Sequence, residues 1–217
     1  MKHTAGQPET VAEVLDVACR ALLTTGAPLS VQALATAMGT DPATAEREVG
    51  AQEERGRMTR GADGRIVASA GISVVPSDYE LHVGARVLWA WCANTALGVM
   101  SALALGGEVV SHCPASGARL RTVFDGPLPR EEGRAVHWPS DSFRRTCGSL
   151  SAEYCPTFAL FESAAAARAW TRARDVPGEV LPVREATERA AVRWRESLDL
   201  GGEGRHLPRA LTTPPPV

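Results

Sequence analysis

The chain has 217 residues, 44% hydrophobic and 22% charged, with a formal net charge of −2. That is apolar material for one large domain or two small ones, and it creates no overall field that would draw nucleic acid or an anionic membrane. The opening MKHTAGQPET lacks an apolar leader, and the longest greasy run, Ala96 to Leu105, is about half of the ~20 residues a spanning helix needs, so a cytosolic protein is expected.

Residues 1–9 are expected to be flexible. Val11, Val14, Leu15, Ala18, Leu22 and Leu23 then make a helical stripe that stops at Gly26. Pro28 and Ser30 open a second helix that Gly39 closes, and Asp41-Pro42 is a good helix start for a third, running to about Arg55. Arg57 to Val75 alternates and turns at Asp63-Gly64, which predicts a hairpin. Three helices and a hairpin are the order of a winged helix. The third helix, however, sets Asp41, Glu46, Glu48, Glu53 and Glu54 against Arg47 and Arg55. A helix that reads DNA must meet phosphates with a basic face, so this module reads as a packing or lid element.

Tyr79 to Val83 alternates like a strand. The stretch from Arg86 to Gly117 holds the densest apolar run and two of the five cysteines. Leu88, Cys92, Thr95 and Val99 recur at helical spacing and predict one stripe. Glu108 to Cys113 and Arg119 to Phe124 read as antiparallel strands around Pro114-Ala115-Ser116-Gly117, and Val136 to Trp138 as a short strand. Asp141 to Tyr154, polar and rich in small residues, reads as a loop able to cover a site. Thr157 to Phe161 and Glu179 to Val183 read as strands, with a helix from Ser163 to Arg174 and a last amphipathic helix from Arg184 to Leu198. The fold expected is α+β: a winged-helix-like three-helix module over 10–75, a mixed or antiparallel sheet core with flanking helices over 76–198, and a disordered tail over 199–217.

The cysteines (Cys19, Cys92, Cys113, Cys147 and Cys155) are odd in number and show no C-x-x-C pair, which argues against a zinc site or a disulfide framework. Cys19 sits among core positions. His112 and Cys113 are adjacent on a strand and point to opposite faces, so they do not chelate one ion. Cys147 is the thiol expected to be most exposed. Cys92 on its apolar stripe and Cys155 at a loop–strand junction each read as a packing thiol or a reactive one, and a reactive Cys92–Cys155 pair is the hypothesis worth testing. His82 and His137 are possible acids or bases that no spacing favours. No nucleophile-elbow, Walker, H-E-x-x-H or dinucleotide-binding pattern occurs.

Taken together, the residues resemble the organomercurial lyase (alkylmercury lyase) family. The points of contact are Trp91-Cys92-Ala93 in a helix after a strand, Ser111-His112-Cys113 twenty-one residues further on with Gly117 following, and Cys155 ahead of an aromatic strand with Phe158 and Phe161. The resemblance implies cleavage of a carbon–mercury bond by thiolate attack and protonolysis, giving a hydrocarbon and Hg(II). It assigns Cys92 and Cys155 as the attacking, mercury-holding thiols with Thr95 beside them, Cys113 as structural, and no cofactor. It also implies a small organomercurial substrate and a thiol acceptor for Hg(II), such as a mercuric reductase. Thiolates suit this work because mercury is a soft metal. The family's usual aspartate three residues after the first cysteine is Thr95 here, and a hydroxyl is far too weak an acid to stand in for a carboxyl of reference pKa about 3.9. The proton would then come from a cysteine thiol or from a group such as Glu153. Two alternatives stay open: a divergent member that binds mercury or copper, or does other thiol chemistry, without protonolysis; and a metal-responsive winged-helix regulator.

Overall fold

The computed structural model describes residues 8–84, 86–104 and 106–197. Most of the N-terminal segment expected to be flexible, and all of the expected 199–217 tail, lie outside these residues. The first helix, α1 (Pro8–Thr25), begins inside the former.

Helices α2 (Val31–Met38) and α3 (Pro42–Glu54) start where their caps predict. Ser30 Oγ accepts from Ala33 N at 3.1 Å and Asp41 Oδ1 from Thr44 N at 2.9 Å, satisfying first-turn amides that lack helical partners. Two of the carboxylates of α3 are spent locally, since Arg60 pairs with Glu46 at 2.7 Å and Glu53 at 3.0 Å. Strands β1 (Met58–Arg60) and β2 (Ile66–Ser69) form the hairpin around Asp63-Gly64. β2 then turns into a two-residue strand, β3 (Ile72–Ser73).

The helical module and the core share a sheet. With β4 (Tyr79–Val83), β5 (Arg86–Ala90), β6 (Gly107–His112) and β7 (Arg119–Phe124), its order is β1-β2-β3-β5-β4-β6-β7, antiparallel throughout. A second antiparallel sheet has β8 (Ala135–Pro139) between β9 (Ala159–Phe161) and β10 (Gly178–Pro182).

Helix α4 (Ala93–Leu103) lies in the core, with every described residue but Ala102 buried. It packs chiefly on α7 (Val183–Ser197), and Gly98 is the reason the two come so close. A Cβ there would sit 2.3 Å from Trp194 Cδ1 and 2.9 Å from Ala190 Cβ. Helix α6 (Ala164–Arg174), capped by Ser163 Oγ accepting from Ala166 N at 3.2 Å, covers the second sheet.

Three expectations are corrected. Leu88 belongs to β5 and Cys92 is the extended N-cap of α4 (φ −156°, ψ 166°), so the predicted stripe breaks into a strand and a helix start. The spacing coincided with a helical period, but the β-rich RVLWA segment pairs with β4 instead. Residues 141–154 are not a loop. They form α5 (Asp141–Thr146) and a π-helical turn, Leu150–Tyr154, each opened by a serine (Ser140, Ser149) accepting a backbone N–H three residues on. Cys155 opens a 3₁₀ turn (Cys155–Thr157), and the strand begins only at Ala159.

Candidate active site

Chain geometry delivers Cys92 to the interior. As β5 ends, Trp91 N donates to Gly71 O and Ala93 N to Phe158 O, both at 2.9 Å, so Cys92 is pinned between the first sheet and the 155–158 turn. Its side chain is 2% exposed. Thr95, one turn into α4, places Oγ1 3.4 Å from Cys92 Sγ. Gly71 makes room for it: at φ +97°, a Cβ there would meet Thr95 Oγ1 at 2.5 Å.

Cys155 reaches the same point from the other side. Its turn is closed by Phe158 N donating to Cys155 O at 3.0 Å, and its half-buried side chain packs against the cluster that holds Cys92. Cys92, Thr95 and Cys155 line one cavity of about 110 Å³. Tyr154 and Phe158, in edge-on contact at 5.1 Å, pack against Cys92 with Trp138 and Phe143 around them. An engineered cavity of ~150 Å³ admits benzene, so this space suits a small organic group.

The two thiols are driven apart in acidity. The hydrogen bond from the Cys155 thiol brings Cys92 down from 9.0 to about 7. Burial pulls the other way and loses, because the Thr95 hydroxyl and backbone N–H and the positive charge of Arg193 also favour the thiolate. Cys155 is pushed up, first because its proton is the one shared with Cys92 and then by burial. Both shifts favour the thiolate at position 92 over the one at 155.

The remaining candidates fall outside the cavity. Glu153 accepts from Gly148 N at 3.1 Å. His82 pairs with Glu80 at 2.5 Å, and His137 is fully buried with Nδ1 2.7 Å from Thr157 O. Cys19 is core, its thiol pushed up to about 12 by burial. Cys147 donates to Phe143 O at 3.2 Å and packs on the aromatic cluster without reaching the cavity. Cys113 sits at the 113–117 turn, where Gly117 N donates to its carbonyl at 2.8 Å. Burial would raise its thiol, but hydrogen bonds from Ser116 and nearby backbone amides hold it below the ordinary value. Among the described residues, no group of three or more histidines, cysteines and carboxylates is placed to hold a metal.

Sequence reading missed Arg57, Arg144 and Arg193, which also line the cavity, along with Tyr154 and Trp194. The arginines come from just after α3, from α5 and from α7, and no local pattern marks residues that only the fold brings to one rim.

A family model described as MerB, alkylmercury lyase, matches residues 72–195. The chain belongs to the alkylmercury lyase family. It is accordingly a carbon–mercury lyase with an organomercurial substrate. Among solved structures, the mercury-bound form of MerB2 has the same fold, with a TM-score of 0.75 at 21% identity over 89% of this chain and 94% of that one. Comparison with the curated proteins finds no match. The alkylmercury lyase segment includes Cys92, Thr95 and Cys155 and stops short of Leu15, Arg57 and Gly71 in the cavity wall. Among the described residues no helix is long and apolar enough to cross a membrane.

Proposed function

We propose that this lyase cleaves its substrate with Cys92 as the attacking thiolate and Cys155 as both proton donor and second mercury ligand. The carrying observation is that Cys92 and Cys155 line one small cavity, where the neighbouring Cys155 thiol draws Cys92 down to about 7. The Cys92 thiolate displaces the anionic ligand X⁻ from R–Hg–X, forming S–Hg–R. That step removes the negative charge that had kept the Cys155 proton in place, and the neighbouring mercury acidifies the thiol further. Cys155 then transfers its proton to the carbon as the C–Hg bond breaks, and its sulfur takes the vacated position. R–H leaves, and Hg(II) stays bridged between two sulfurs.

The balance closes with no third acid. Thr95 serves here as a hydrogen-bond partner that steadies the thiolate, and Glu153, turned towards Gly148, has no part. Mercury so held leaves by exchange with an incoming thiol, supplied by a small molecule or by a protein such as a mercuric reductase. The acidic α3, with Arg60 occupied by Glu46 and Glu53, speaks against a DNA-reading role.

The alternative of a mercury binder without protonolysis rests on Thr95 standing where a carboxyl is expected. Anaerobic incubation of the reduced protein with phenylmercury, following benzene and bound mercury together, separates the two. Benzene release lost in Cys92→Ser and in Cys155→Ser, but kept in Thr95→Val, is the expected result. Stoichiometric mercury uptake without benzene would overturn the lyase mechanism.

A further inference from the structure

Among the described residues lining the thiol cavity, three are arginines and none is a carboxylate. Arg57 follows α3, Arg144 lies on α5 and Arg193 on α7, so three separate elements converge positive charge on one small space. Elsewhere Arg60 pairs with Glu46, Arg121 with Glu108, Arg130 with Asp125 and Arg189 with Glu179. The cavity three make no ion pair among the described residues. Asp16 on α1 feels the charge of Arg193 without pairing with it. The Nε of Arg57 is buried without a partner, and Arg57 is weakened as a cation by burial and then by the charges of Arg144, Arg55 and Arg193. Arg57 is half-buried while Arg144 and Arg193 keep contact with solvent, and three like charges at one small space repel one another less once an anion sits among them. One thiolate supplies a single negative charge, and mercury consumes it.

We propose that the arginine rim receives a carboxylate carried by the organomercurial, so that this enzyme favours carboxylate-bearing mercury compounds over neutral ones. The inference rests on the reading of Cys92 and Cys155 as the mercury-holding thiols. A guanidinium offers a planar pair of donors matched to a carboxylate, and a charged partner fixes the orientation of the mercury end towards the sulfurs. The carboxylate has two possible sources: the organic group itself, or the thiol that accompanies mercury as its second ligand.

The test measures kcat/KM for hydrocarbon release from 4-(hydroxymercuri)benzoate and from phenylmercuric acetate, in wild type, Arg57→Met, Arg144→Met and their double variant. A third arm supplies phenylmercury as its 3-mercaptopropionate or 2-mercaptoethanol adduct. Comparing each substrate ratio between proteins cancels intrinsic reactivity. Arg193 is left in place because it also favours the thiolate. The wild type is expected to favour the carboxylate form about tenfold at low salt, with the advantage shrinking as salt screens it. The double variant should bring the ratio to about one, while Arg144→Lys should keep most of it.

An advantage seen only with the mercuribenzoate locates the carboxylate on the organic group; one seen only with mercaptopropionate locates it on the carrier thiol. Either supports the rim. Ratios untouched by the substitutions in both arms overturn it. If no compound releases hydrocarbon, the lyase mechanism fails by itself, and the rim is judged from mercury uptake affinities for the same pairs: a tenfold preference lost in the double variant supports it, and equal affinities overturn it.

Discussion

At the scale of the residue, Cys92 and Cys155 are chemically alike and made different by one shared proton. Since Cys92 sits at about 7 rather than 9.0, its alkylation rate should climb through pH 7 and level off above it, as followed by peptide mass mapping. Replacing Cys155 with Ala removes the largest favourable influence on that thiolate, so the midpoint should move upward. The linkage to stability has a definite sign. A depressed acid stabilises the fold above its unfolded value, here 9.0, and that contribution is lost as pH falls through about 7. Cys155, shifted upward, contributes below 9.0 and loses that contribution at higher pH. Thr95→Val keeps the shape and deletes the hydroxyl 3.4 Å from the sulfur. Benzene release at pH 7 should drop by roughly threefold to tenfold and persist, the size expected from one hydrogen bond to a charged group. A complete loss would instead make Thr95 part of the proton path.

At the scale of the element, the cavity depends on two close approaches and one aromatic wall. Gly71→Ala forces a side chain onto a backbone at φ +97° and against Thr95, and should cost about 2 kcal/mol or more in urea unfolding while raising the Cys92 midpoint. Phe158→Ala empties the wall between Trp138, Tyr154 and Cys92, and should lower stability by roughly 3 kcal/mol. Elements of this kind differ in how far they can be read in advance. Asp41, Ser30 and Ser163 announced their helices because a cap is a local hydrogen bond. Strands β4, β6 and β7 announced themselves in the sequence, whereas β5 (Arg86–Ala90) did not. Residues 141–154 did not, because the serine caps at 140 and 149 were submerged in polar composition, and a π-helical turn has no periodic signature. Cys92 could be singled out by its neighbours, but its N-cap position could not, since the stripe through Leu88 fits a helix equally well. The arginines of the rim depend on the packing of α3, α5 and α7, which is tertiary information.

At the scale of the whole molecule, α4 is the beam to which the site is fixed, and α7 is clamped on it through Gly98. Gly98→Val should unseat Trp194, lower the urea midpoint, and weaken mercury uptake because Arg193 and Trp194 leave the cavity wall together. Retained uptake with lowered stability would show that α7 supports the fold without shaping the site. The continuous seven-stranded sheet carries a different implication. Residues 72–195, the part that matches the family, hold Cys92 and Cys155, yet Leu15, Gly56, Arg57, Ala70 and Gly71 from outside that part form one side of their chamber. The two thiols and part of the wall around them are thus carried by different stretches of chain. Selection can redraw much of the second while leaving Gly71, which seats Thr95, in place, and a library at Leu15, Gly56, Arg57 and Ala70 would be the place to breed new substrate range.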